Sequence, residues 1–197
     1  MNIFKSKNSM TKHDVHEQVP PNWHEDFISH LASVVRPKVY CELGLYQCVV
    51  FNKVIPYSDK LIGVDMNPDA GRYMQKSSKT AFINLSTTEY ARELHARPIE
   101  IDMLFIDADH SEAAVLDDFN NFIPFVKPHG LILLHDGHPK DEQSMGSGYC
   151  GDGWKAIEEL SRNAPEYEMV TIPVHPGLTI CRKRKKQLAW QERGISE

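Results

Sequence analysis

The sequence is sparing with cysteine: among 197 residues there are four, Cys41, Cys48, Cys150 and Cys181, and no two form a CxxC pair. That leaves no sign of a cysteine metal or redox motif. Buried reduced thiols account for Cys41 and Cys181, which fall in expected strands, and Cys150 reads as an exposed inert thiol in a loop. Apolar runs are short as well. None approaches the ~20 residues that a membrane span needs, and the first residues carry no signal-type run, so the expectation is a cytoplasmic protein with no membrane partner. Positive charge is not in excess either: a formal net charge of -5 argues against a nucleic-acid partner and for a small-molecule one. HxH and HExxH spacings, from which hydrolytic metal sites draw their histidines, are also missing.

What is present is a balanced domain, 41% hydrophobic and 25% charged, enough for one full core. Residues 1–21 are polar, hold two prolines at their end and read as a mobile arm. Residues 22–183 read as the folded domain, and 184–197 as a basic tail with a weakly helical end. Within the domain, apolar residues at helical spacing predict a helix over 23–35 that Pro37 ends. Strands follow at 38–43 (KVYCEL), 60–65 (KLIGVD), 80–85 (TAFINL), 101–107 and 131–136. Helices are expected over 46–55, 68–76, from Ser86 or Thr87 to about 95, over 113–123 and over 154–161. The unbroken alternation is the mark of an α/β fold, a Rossmann-like doubly wound sheet that is mostly parallel. Residues 167–173 and 177–182, joined by a VHPG turn, complete seven strands as a C-terminal antiparallel β hairpin.

Chemistry-bearing residues gather at strand ends. Parallel neighbours with a right-handed crossover bring Asp107, Asp109, His110, His135 and Asp136 to one edge, the carboxyl edge where open α/β sheets bind ligands. Two acids at adjacent strand ends repel unless something compensates them. Gly44 turns the first strand into a helix, and Asp65 ends the second strand 21 residues later. That is near the ~20 residues at which nucleotide-binding folds place a ribose acceptor, although a strand-end cap is the plainer role for the same side chain. Residues 137–153 form a long glycine-rich loop leaving the suspected site, for which a substrate-contacting role is expected. His129 reads as a turn residue on the opposite edge.

Taken together, the alternating units, the glycine turn, the strand-end acid and the closing hairpin resemble the class I methyltransferases that use S-adenosylmethionine. The string FIDADHSEAAVLDDFNNFIPFVKPHGLILLHD is similar to small-molecule O-methyltransferases, the sugar type among them. The resemblance implies that Glu42 and Gly44 lie along the methionine part of the cofactor, that Asp65 holds the ribose, and that Ser86 stands near the adenine. From the metal-dependent relatives it implies Asp107 as metal ligand, His110 as general base and Asp136 as a second metal-binding acid, with His135 or Asp109 for a third ligand; Mg or Mn suits such a set. Cys48 stands where the ExGxxxG pattern has a glycine, which would crowd the cofactor or shift the helix. The expected function is methylation of a small hydroxylated metabolite, a sugar or natural product. The alternatives are a metal-dependent hydrolase using the Asp/His cluster and a non-catalytic nucleoside-binding member of the fold. Small enzymes of this kind often pair, so a homodimer is the expected assembly.

Overall fold

A computed structural model describes residues 19–183 except Pro21 and Ser147; the expected arm up to residue 18 and the basic tail lie outside the described residues. Helix α1 (Trp23–Val35) leads to strand β1 (Val39–Leu43), helix α2 (Val49–Val54), β2 (Lys60–Val64), β3 (Thr80–Ile83) and α3 (Thr87–Ala96). Then come β4 (Ile101–Ile106), α4 (Glu112–Phe122), β5 (Val126–His135), α5 (Gly153–Asn163), β6 (Tyr167–Ile172) and β7 (Leu178–Lys183). All seven strands form one sheet in the order β3-β2-β1-β4-β5-β7-β6. The first five are parallel, and β7 lies antiparallel to both β5 and β6.

The order reverses between β1 and β4, so the crevice of the fold opens above these two strands. One core packs Phe119, Phe122 and Ile157 of α4 and α5 against one sheet face, and a second packs Ile28 and Phe51 of α1 and α2 against the other. The His24 ring lies beside that of His135, which places the first turn of α1 at the carboxyl edge of the sheet.

Local chemistry explains where elements start. Ser86 caps α3 with a capping box, its hydroxyl accepting from the Glu89 N–H while the Glu89 side chain reaches back to the Ser86 N–H. Ser111 caps α4 in the ordinary way.

Four expectations change. Helix α2 starts at Val49 rather than 46, because Tyr46 and Cys48 adopt left-handed backbone angles, φ 47° and 55°, that no helix can include. Residues 68–76 form only a single 3-10 turn, Ala70–Arg72. The strand at 131–136 begins earlier, at Val126, and takes in Pro128, Gly130 and the exposed His129, which is therefore no turn residue. Its pairing with β4 slips between Ile101 and Met103, as expected where a proline gives no N–H to the ladder. Cys150, expected to be exposed, is 2% exposed; its N–H donates to Ser144 O, so the surrounding loop is folded over it. Cys41 and Cys181 are buried, as expected.

Candidate functional site

Gly44 is the point where the crevice closes to backbone contact. Its φ is +82°, and a Cβ there would fall onto the Asp107 carbonyl and the Ala108 backbone. The glycine lets the end of β1 lie flat against the loop after β4. Asp65 holds the same turn from the side: its Oδ2 accepts the N–H groups of Leu45 and Tyr46 at 2.9 and 3.2 Å, and Oδ1 accepts from Asn67 at 2.8 Å. Asp65 is thus the turn's cap in this structure. A carboxylate offers about four lone-pair positions, so it keeps acceptor capacity toward the crevice.

Gly44, Asp65, Met66, Thr87, Ala108 and Asp118 line a cleft of about 300 Å³. Ser86 does not line it; its hydroxyl is engaged with Glu89 at 2.7 Å. Glu42 is buried beneath the turn, 2% exposed, and accepts a 2.5 Å hydrogen bond from the Tyr40 hydroxyl. Burial drives its carboxyl well above the usual range, against the pull of the Tyr40 and Phe51 hydrogen bonds. Cys48 neither lines the cleft nor crowds it: its thiol points below the turn to Ala70 O at 3.3 Å.

Asp118, which sequence reasoning did not single out, is 3% exposed at the foot of this cleft. Desolvation pushes its carboxyl up to about 6, partly offset by a hydrogen bond from Thr87.

Beyond the Asp107 loop lies the acid and histidine cluster. Asp107, His110 and Asp136 each bring a ligand atom within 4.8 Å of the other two. His110 Nδ1 is 3.1 Å from Asp136 Oδ2 and also donates to Tyr149 O, and its Nε2 stands 3.6 Å from Asp107 Oδ1. His135 Nδ1 sits between the acids, 2.9 Å from Asp107 Oδ1 and 3.3 Å from Asp136 Oδ2, without the alignment of a hydrogen bond. Burial alone would depress its imidazole, but the two carboxylates outweigh that and raise it to about 10. Burial likewise pushes Asp136 up, and His135, His110 and Cys150 more than reverse it, holding the carboxyl below its ordinary value. Asp136 adopts φ 59°, the sparsely populated left-handed region that clusters at functional sites.

Asp109 stands apart from the cluster in its bonding, its carboxylate accepting the Ser111 N–H at 2.8 Å. Loop 137–153 fixes His110 through main-chain contacts: Gly153 N–H donates to His110 O at 2.8 Å, and Gly151, φ +56°, packs where any Cβ would strike that carbonyl. Between the loop and His110 opens a second cavity of about 570 Å³, lined by Ala108, Asp109, His110, Met145 and Gly148. It shares Ala108 and Asp109 with the first cleft.

His24 is the other residue missed in the sequence. It comes from the first turn of α1, and its ring lies 4.3 Å from that of His135, centre to centre, at 50°. Desolvation, then the neighbouring His135, lowers its imidazole to about 4. Within its helix it has no motif spacing to mark it; only the antiparallel return of α1 brings it here.

Solved structures share this architecture. A Staphylococcus aureus protein described provisionally as a caffeoyl-CoA O-methyltransferase aligns with a TM-score of 0.69 at 19% identity, over 86% of this chain and 88% of its own. An O-methyltransferase from Bacillus cereus in complex with S-adenosylhomocysteine gives 0.69 at 12% identity, over 84% and 82%. A Podospora anserina methyltransferase, also bound to S-adenosylhomocysteine, gives 0.64 at 14%, over 85% and 80%. No curated protein matches the sequence closely enough to count as a relative. Residues 41–137 match the family model described as a methyltransferase domain. The end of β1, the glycine turn, the Asp107 loop and Asp136 all lie inside that match, so the stretch that builds the crevice is the stretch similar to a methyltransferase domain.

Proposed function

We propose that the protein methylates a hydroxyl group of a small metabolite, of the sugar or natural-product class, with His110 as general base and a divalent cation held by Asp107, Asp136 and His135. The observation that carries this reading is the sharing of Ala108 and Asp109 by two adjoining cavities, one beside Gly44 and Asp65, the other beside His110. A cofactor in the first cavity and an acceptor in the second meet across the β4–α4 loop. S-adenosylmethionine would supply the methyl group: as the acceptor oxygen bonds to that carbon the carbon–sulfur bond would break and S-adenosylhomocysteine leave, with His110 taking the hydroxyl proton. Gly44 gives the cofactor backbone to lie against, and Asp65 has free lone pairs for ribose hydroxyls. Alignment of this sort contributes several kcal/mol when reactants are held in near-attack geometry.

The His110 ring is oriented for proton abstraction. Its Nδ1–H is engaged by Tyr149 O, which leaves the Nε2 lone pair as the accepting atom. The cluster fits a cation. Asp136 Oδ2 and both ring nitrogens of His135 are buried without a hydrogen-bond partner, which buried polar atoms rarely are. The carboxylates would anchor the ion, and its charge would acidify an acceptor hydroxyl nearby, easing the task of His110.

The test is melting with S-adenosylmethionine and S-adenosylhomocysteine. A ligand at a hundred times its dissociation constant adds ~2.7 kcal/mol, so the midpoint should rise by several degrees with either compound. An unmoved midpoint with both would sink the cofactor reading. Turnover is then screened on hydroxylated sugars and phenols against amines, with amine methylation alone counting against an oxygen acceptor. His110→Ala should lower turnover by roughly 10²–10⁴-fold and keep the melting response to S-adenosylhomocysteine.

A further inference from the structure

The cluster holds more nitrogen than an oxygen-seeking ion calls for. We propose that His24 and His135 join Asp107 and Asp136 in an imidazole-rich cation site that takes a first-row transition ion, of the Mn, Fe, Co or Zn class, in preference to Mg or Ca. This rests on the reading that a divalent cation serves the site, and deepens it by naming the ion class and a donor that no motif marks.

Three observations converge. The first is the set of orphaned atoms: His24 Nδ1, His135 Nδ1 and Nε2 and Asp136 Oδ2 are all buried without a hydrogen-bond partner, and all belong to this one cluster. Buried polar atoms without hydrogen bonds cost free energy, and one ion would serve three of these four, Asp136 Oδ2, His24 Nδ1 and a single nitrogen of His135. The second is spacing. The donor atoms of His135, Asp107 and Asp136 stand 2.9 and 3.3 Å apart, against the roughly 3 Å that separates neighbouring donors on an ion with bonds of about 2.1 Å. Two imidazoles side by side on one such ion hold their ring centres roughly 4.5–5 Å apart; those of His24 and His135 are 4.3 Å apart.

The third is rigidity. The first turn of α1 is tied down independently of any ligand, by the Trp23 indole N–H donating to His175 O at 2.9 Å and by Lys53 pairing with Glu25 and Asp26 at 2.9 and 2.8 Å. His24 is therefore held against His135 rather than swinging free. Mg keeps oxygen ligands and water, whereas imidazole suits Zn and Fe, and affinity at mixed nitrogen and oxygen sites rises from Mn through Fe to Co, so two ring nitrogens beside two carboxylates shift the preference toward the transition ions.

The experiment uses the full chain freed of metal by chelation. Co is titrated by its visible absorption, Mn by electron paramagnetic resonance, and Mg by competition, with calorimetric binding of S-adenosylhomocysteine measured on the same samples. Co and Mn should bind, with Mg on the order of 100-fold weaker, and pulsed resonance on the Mn form should show nitrogen coupling. His24→Phe keeps a ring against His135 and removes both nitrogens; it should weaken Co by roughly tenfold or more and alter its spectrum. If that variant melts well below the parent when metal-free, His24→Gln makes the same test. Mg binding as tightly as Co, Mn without nitrogen coupling, or no ion bound while S-adenosylhomocysteine still binds would each overturn the proposal. An unchanged Co affinity and spectrum in the His24 variants would also overturn it. Ion binding as expected without S-adenosylhomocysteine binding would uphold the cation site and overturn the methyl-transfer reading instead.

Discussion

The two ends of the carboxyl edge are built on opposite principles. At the Gly44 end the key polar groups have partners from the chain itself: Asp65 takes three backbone N–H groups, Ser86 and Glu89 cap each other, and Glu42 is covered by Tyr40. At the Asp107 end, two carboxylates and three imidazoles crowd together with several buried atoms unpaired. A satisfied region is stable whether or not anything binds, so it serves as a template. An unsatisfied region stores unfavourable contacts that a ligand relieves, so it is where binding energy and chemistry are concentrated. The difference suggests that cofactor binding and turnover are separable by mutation.

The strongest test of that separation is removal of the acids. Asp107→Ala and Asp136→Ala should each abolish measurable turnover while S-adenosylhomocysteine affinity, measured by calorimetry, stays near that of the parent. Loss of cofactor binding in both would merge the two ends into one unit. Gly44→Ala attacks the template instead. Its methyl group would meet the Asp107 carbonyl at a backbone angle that L-residues rarely adopt, so a lower melting midpoint and loss of S-adenosylhomocysteine binding are expected together.

Smaller effects sharpen the picture. Ser86→Ala should cost what a lost N-cap typically does, about 1 kcal/mol in denaturant melts, with cofactor affinity little changed. A pronounced loss of affinity would instead put that hydroxyl at the adenine. A separate expectation is a pH dependence of the metal-free protein. His135 rises from an ordinary 6.5 to about 10 on folding, because the carboxylates favour its charged form once the cost of burial is overcome. The folded state thus binds more protons than the unfolded state between those values. Stability from this group is complete below about 6.5 and is lost as the pH climbs through about 10. Melting of the chelated protein should fall across that window, and His135→Gln should flatten the decline; a parallel decline in both would assign it to other groups.

Much of the edge was legible in the residues. The alternation of short apolar runs with helical patterns suffices for the parallel sheet, and the strand-end positions of Asp65, Asp107 and Asp136 follow from it, because parallel strands with helical crossovers send their carboxyl ends the same way. The weaker expectations share a cause. Helix α2 starts three residues later than its apolar pattern predicts because backbone angles at Tyr46 and Cys48 are set by the turn that Asp65 caps. Strand β5 starts earlier than Pro128 and Gly130, which read as a break, would allow, because a slipped pairing with β4 absorbs them. Cys150 is buried although a glycine-rich loop looks open in sequence, because the loop folds onto His110.

The order of apolar and polar residues by itself determined the layered α/β architecture, the closing hairpin and the edge on which the acids meet, since burial and strand period act locally along the chain. What only the tertiary structure decided is the company each acid keeps. Asp65 is turned toward backbone N–H groups, Asp107 and Asp136 toward two histidines, and His24 arrives from a helix more than eighty residues earlier in the chain than either of those acids. Distances across a packed edge depend on how α1 and loop 137–153 fold back, and no spacing rule within one segment encodes that return.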